Sequence, residues 1–191
     1  MGQPSEPVLA LPVRTISRRT RRYRFCQGYL LVILLEIVFA QRVYAQVSTY
    51  KVQAVFLYNF TKYINWPQSG TTMVIGVMGN SGVVTELNTT LKDKKTGDKA
   101  FEIKQLLTTT EAAKCNIVYL PSGRSKELKD LISAVKGKGV LIVSEEDLAG
   151  QGAGISFLQV EEKLRFKINA KVLKEAGFQV SSALLGLAIV I

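Results

Sequence analysis

Apolar and polar positions follow three rhythms along this chain, and each predicts a different kind of element. From Ser48 to Trp66 the apolar residues Val52, Val55, Phe56, Phe60, Tyr63 and Ile64 recur at intervals of three and four, the period of an amphipathic helix. Ser48 or Thr49 can cap its start. Pro67 closes it, because a proline drives the preceding residue out of helical geometry. Met73 to Met78 is instead a short unbroken apolar run followed by Gly79-Asn80-Ser81-Gly82, which reads as a strand buried on both faces and a turn into a helix. That helix runs from Val83 to Leu91, with Val84, Leu87 and Leu91 inward. Gly97-Asp98 marks a turn, and Phe101 to Leu106 alternates as a strand with one wetter face.

The cycle then repeats. Ile117 to Leu120 reads as a strand, Pro121-Ser122-Gly123 as a loop, Ser125 to Lys136 as a helix with Leu128, Leu131, Ile132 and Val135 on one face, and Val140 to Val143 as a strand. After the glycine-rich Gly150 to Gly154 the third rhythm begins: Ile155 to Val160 and Leu164 to Ile168 alternate around Glu161-Glu162-Lys163, the pattern of a hairpin. Helices are expected at Ala170 to Glu175 and Ser181 to Val190, separated by Gly177. The second of these is so apolar that it is expected to be buried against the sheet or a partner. Strands alternating with single helices predict an α/β fold of three layers, a largely parallel central sheet flanked by helices, with an added C-terminal β-hairpin.

Charge separates the first 45 residues from the rest. Arg14, Arg18, Arg19, Arg21, Arg22 and Arg24 precede an apolar run from Tyr29 to Ala40 that only Glu36 interrupts, the n-region and h-region order of an export signal. Val43-Tyr44-Ala45 places small residues where a signal peptidase reads them, so cleavage is expected after Ala45. The run falls short of the roughly 20 apolar residues that span a bilayer, and Glu36 is costly at its centre. An uncleaved anchor or a misplaced start codon are the alternatives, and both leave the domain outside the cytoplasm. The predicted organisation is therefore a signal peptide over 1–45 and one α/β domain over 46–191. The leader holds seven arginines and two acids, so it carries half of the formal +10 of the 191 residues. In the domain the lysines alternate with acids, as in Lys126-Glu127-Leu128-Lys129-Asp130. No basic cluster interleaved with aromatics appears, which argues against nucleic acid as a partner.

The chain has no histidine, which removes Ser-His-Asp triads, Cys-His pairs and His-based metal sites. No cofactor or metal is expected, and no catalytic residue is assigned. Cys26 lies in the leader, leaving Cys115 as the domain's one thiol, beside an apolar strand where it reads as a small buried hydrophobe. Gly79, Asn80 and Ser81, with Arg124 from the next strand-to-helix loop, are the candidate ligand-binding residues. Either they hold a phosphate on free backbone amides or the turn is tight without any ligand. Glu145-Glu146-Asp147 offers carboxylates at a strand end, read as solvated surface. Tyr63 and Trp66 are candidate partner-binding residues, since aromatics left exposed anchor interfaces.

The residues also resemble a known family. Gln53-Ala54-Val55-Phe56-Leu57-Tyr58-Asn59-Phe60-Thr61-Lys62-Tyr63-Ile64-Asn65-Trp66-Pro67 is similar to the opening motif of YfiR-like domains. Ile75-Gly76-Val77-Met78-Gly79, Cys115-Asn116-Ile117-Val118-Tyr119, Val143-Ser144-Glu145, Leu164-Arg165-Phe166-Lys167-Ile168-Asn169 and Ser181-Ser182-Ala183-Leu184-Leu185-Gly186-Leu187-Ala188 match in the family's order. The resemblance implies a periplasmic, non-enzymatic regulator, often a homodimer. It implies binding to the periplasmic region of a membrane diguanylate cyclase of the YfiN type, or of a sensor kinase, which lowers cyclic di-GMP signalling and restrains biofilm formation. Leu164, Phe166, Ile168 and Asn169 then join the candidate partner-binding residues. One departure stands out: Gly76 and Ser144 occupy regions where disulfide-forming cysteines are expected, so redox control through an internal bridge does not carry over. The competing reading is a periplasmic small-ligand-binding domain reporting to a membrane receptor, with its pocket outside the carboxyl ends of the strands, near Gly79 to Gly82 and Pro121 to Arg124.

Overall fold

The computed structural model describes residues 49–191 apart from 68 and 69. The expected signal peptide over 1–45, its cleavage position and Ser48 as a cap fall outside the described residues. Residues 49–63 form helix α1. Ile64–Asn65 (β1), Thr72–Met78 (β2), Val83–Leu91 (α2), Lys95–Thr96 (β3) and Lys99–Leu106 (β4) follow. Then come Ile117–Leu120 (β5), Leu128–Val135 (α3), Leu141–Ser144 (β6), Ile155–Val160 (β7) and Lys163–Ile168 (β8). Ala170–Glu175 (α4), Gln179–Val180 (β9), Ser182–Leu185 (α5) and Ile189–Val190 (β10) complete the described elements.

Among the described residues, eight strands make one sheet in the order β10-β8-β7-β6-β5-β2-β4-β3. The five from β4 to β7 run parallel, and β7 and β8 form the antiparallel hairpin that their alternation predicts. The α/β layering with a largely parallel sheet stands as expected.

The two faces of the sheet bury separate clusters. On one face Ile75, Val77, Ile117, Tyr119, Leu141, Val143, Ile155, Phe157, Phe166 and Ile168 meet α1 and α2. Phe60 sits among Phe56, Phe157 and Phe166 with ring centroids 5.2–6.2 Å apart, in the range where aromatic pairs add about 0.5–1.5 kcal/mol beyond area burial. On the other face Met78, Val118, Leu120 and Ile142 pack under α3 and a 3-10 turn over Thr109–Lys114. Gly76 is required by this packing: a Cβ there meets Leu106 Cδ1 at 2.6 Å and Cys115 Sγ at 2.7 Å.

Three expectations are corrected. Helix α1 is rotated from the stripe that spacing suggested: Gln53, Ala54, Leu57, Phe60 and Ile64 are buried, while Val52, Val55 and Tyr63 are over two-fifths exposed. It also stops at residue 63 rather than Trp66, because Ile64 and Asn65 pair antiparallel with Val180 and Gln179. The segment Ser181 to Val190 is not one buried helix. Four residues are helical as α5, Gly186 ends the turn, and Ile189 and Val190 join β8 as a parallel edge strand. The short 3-10 turn over Thr109–Lys114 was not expected from the sequence. Its signal is the Thr108-x-x-Glu111 capping box, whose carboxylate accepts from the amides of Leu107 at 2.8 Å and Thr108 at 3.3 Å.

Candidate functional site

At the carboxyl ends of β2 and β5 the structure brings Gly79 and Arg124 together. Gly79 has φ +67 and would place a Cβ 2.8 Å from Arg124 Nη1, so the guanidinium lies directly across this turn. Arg124 is held there by Glu127, with Nε 2.5 Å from Oε1 and Nη2 donating to Oε2 at 2.7 Å. Two of the three guanidinium nitrogens of Arg124 thus lie against a neighbouring carboxylate. Asn80 is exposed, and Ser81 Oγ accepts weakly from Val83 N at 3.4 Å. The four candidate ligand-binding residues cluster, and Arg124 fills the space above the turn.

Sequence reasoning missed a buried tyrosine–glutamine pair and the hydrogen bonds that hold the acidic loop. Tyr119, fully buried on β5, donates its hydroxyl to Gln53 Oε1 on α1 at 2.8 Å. Burial pushes the phenol far above its usual range, and Glu145 adds to that, so the hydroxyl stays protonated. Glu145 in turn accepts from Ser122 N at 2.9 Å, and Glu146 from Ser125 Oγ at 2.6 Å. Ser144 Oγ sits 2.7 Å from Ser156 Oγ, which accepts from Leu148 N at 3.0 Å. The acidic loop is therefore fastened to the sheet by its own hydrogen bonds. Gln53 lies off the stripe that spacing marks as inward, so no signal along the chain pointed to this pair.

The candidate partner-binding residues divide. Tyr63 is 46% exposed at the end of α1. Trp66 is half-buried, edge-on to Phe178 at 5.3 Å, with Nε1 donating to Thr61 O at 3.3 Å. Phe166 and Ile168 point into the core, and Leu164 packs partly against it. Asn169 caps α4, accepting from Val172 N at 3.0 Å and donating to Ala149 O at 2.9 Å. Side chains alternate faces along a strand, so the face of β8 turned away from the core carries Lys163, Arg165 and Lys167 instead.

A cavity of about 550 Å³ opens elsewhere, between α3 and α4 at the amino ends of β6 and β7, lined by Ile132, Val135, Val140, Leu173, Ala176 and Phe178 among others. Its place is opposite to the carboxyl-end crevice expected for a ligand. Cys115 is buried against Gly76, and burial raises its thiol to about 11, so it is a neutral core group at physiological pH. Among the described residues no three His, Cys, Asp or Glu side chains cluster as metal ligands. Among the same residues no helix is long and apolar enough to cross a membrane.

Comparison with solved structures returns α/β domains. The chain superposes on the ABC domain from Streptococcus pneumonia solved with L-Trp, at a TM-score of 0.51 and 14% identity, covering 70% of this chain and 58% of that one. It superposes equally, at 0.51 and 13% identity, on a conserved domain protein from Vibrio cholerae O1 biovar eltor, covering 72% and 59%. The chain thus spans under three-fifths of each, and at such identity the likeness is one of fold. No curated protein matches this sequence. A family model does match, over residues 50–189, from the first turn of α1 to the edge strand β10, and on that extent the chain belongs to the YfiR/HmsC-like family.

Proposed function

We propose that this protein is an exported regulator that binds and represses the periplasmic sensor region of a membrane diguanylate cyclase, or of a related membrane sensor such as a sensor kinase, and so lowers cyclic di-GMP signalling. The reading rests on family membership across residues 50–189. The YfiR-like family is one of periplasmic regulators rather than enzymes, and its members suggest interaction with a membrane signalling protein. The chemistry of the chain is in keeping with this role. It has no histidine, and its clustered polar side chains are engaged with one another.

Deleting the gene tests the proposal. Cellular cyclic di-GMP and biofilm mass are expected to rise, and the full-length protein to restore both, whereas a version lacking residues 1–45 stays in the cytosol and does not. Unchanged cyclic di-GMP on deletion, or complementation from the cytosol, refutes it. Sedimentation of residues 46–191 tests the homodimer that the family resemblance implies.

The cavity between α3 and α4 supports the second reading, a small-ligand binder reporting to a receptor. Its size and apolar lining suit a small organic molecule. Thermal-shift screening of residues 46–191 checks this, and ligands whose effect disappears in Ala176→Trp identify the cavity as their site.

A further inference from the structure

The hairpin β7–β8 shows one face to the core, and among the described residues the outer part of its other face and both residues of the edge strand β10 are left uncovered. Register assigns the faces. Leu158 pairs with Arg165, Val160 with Lys163, Ser156 with Lys167, and Ile189 with Lys167, so these residues share the face opposite Phe157, Phe166 and Ile168. This is also the side on which α3 covers β5 and β6. Over Ser156 the loop carrying Leu148 takes the place of a helix. Among the described residues the layer stops beyond it: Val160 is 40% and Ile189 37% exposed, Leu158 is half-buried, and Lys163 and Arg165 are exposed. Lys167 is neutralised by Asp147 at 2.5 Å. Neither Lys163 nor Arg165 has an ion-pair partner among the described residues.

Three strands at a spacing of about 4.8 Å make a strip about 14 Å wide, the width of one α-helix with its side chains, about 10–12 Å. The strip alternates apolar side chains on β7 and β10 with a central row of cations on β8. We propose that this face docks an acidic amphipathic helix of the partner protein, which completes the missing layer: its apolar stripe covers Leu158, Val160 and Ile189, and its Asp or Glu side chains meet Lys163 and Arg165. The inference rests on the regulatory reading above and names the surface and the partner chemistry for it. A lipid surface fits less well, because the strip has no Trp or Tyr to seat at a headgroup boundary and only two unpaired cations. The glutamates of the turn, Glu161 and Glu162, close one end of the row and Asp147 the other, which sets the register for acids between them.

A photo-crosslinking residue placed at Val160 of the full-length protein, expressed in its own cells, reads this directly, with the exposed Asn88 on α2 as the control position. The expected result is an adduct at Val160 and not at Asn88, whose cross-linked peptide is a helical segment rich in Asp and Glu. Adding Lys163→Glu and Arg165→Glu lowers the adduct by about tenfold or more, as reversal of two interfacial charges does. Reversing acids on the captured peptide to Lys restores it. The melting temperature of the double variant stays unchanged, since both side chains are exposed and unpaired. An adduct that survives the double reversal, a captured peptide without acids, or an adduct with phospholipid overturns the proposal. So does the absence of any adduct at Val160 in cells where the protein still restrains cyclic di-GMP, a result that leaves the regulatory reading standing. Loss of that restraint from the wild-type protein is what refutes the reading itself.

Discussion

Replacing Glu161-Glu162 by Asn-Gly is expected to stabilise the domain. The hairpin turn has two residues between Val160 and Lys163, and both sit at positive φ, +49 at Glu161 and +61 at Glu162. That is the type I′ geometry whose twist suits the flanking strands, and it favours Asn-Gly. A side chain of the glutamate kind costs about 1–2 kcal/mol in the left-handed region. Asparagine tolerates the region and glycine enters it freely, though glycine returns about 0.5–1 kcal/mol as unfolded-state entropy. The balance is a gain of about 1–2 kcal/mol for the pair, or about 3–6 °C in Tm for a domain of this size. Scanning calorimetry with urea titration measures it. Glu161→Ala with Glu162→Ala removes the same charges while keeping the backbone demand, so it isolates conformation and is expected to give no gain. A Tm that fails to rise with Asn-Gly, or that rises as much with Ala-Ala, refutes the argument from φ.

Tyr119→Phe leaves Gln53 Oε1 buried without its donor and lowers stability by about 1–3 kcal/mol in urea titration. Gln53→Leu in the same background recovers part of that loss, and full additivity of the two changes contradicts the pairing. The Cys115 thiol, raised to about 11 by burial, is expected to react with a thiol reagent in mild alkali only through opening of the sheet, at a rate that climbs with urea; rapid labelling of the native protein contradicts its burial. The amides of Leu107 and Thr108 hold the Glu111 carboxyl below its usual 4.5, with Lys114 adding slightly. A depressed folded-state value contributes stability above the unfolded-state value and loses it as pH falls through the folded one. Glu111→Gln is therefore expected to show a shallower acid loss of stability below about pH 4.5 than wild type, and parallel curves contradict the capping box.

Much of the fold was legible because local patterns and long-range pairing agree. Met73 to Met78 is a continuous apolar run because β2 has strands on both sides and layers on both faces. Val83 to Leu91 keeps helical period and forms a helix with those bounds. Alternation from Ile155 to Ile168 places β7 and β8 because one hairpin face is core. Legibility fails where two periods fit one stretch. Helix α1 has apolar residues on two sides, so spacing alone did not reveal that Gln53 and Leu57 face inward while Val52 and Val55 face out. Leu184 to Ile191 is apolar enough for a buried helix, yet helix α5 stops at Leu185 and Ile189 and Val190 pair as an edge strand, because β8 offers a free row of backbone groups beside them.

The sequence by itself determined the layered α/β class, the absence of histidine chemistry and the family pattern, since these depend on residue type and on periods read along the chain. Only the tertiary structure decided which face of each element is buried. A shift of one residue in a strand exchanges its two faces, and with that parity Phe166 and Ile168 go to the core while Lys163 and Arg165 go to the open side. The site at Gly79 and Arg124 was likewise decided in three dimensions. Its members lie on separate loops, and whether the guanidinium is free or held by Glu127 is a matter of packing that no spacing along the chain records.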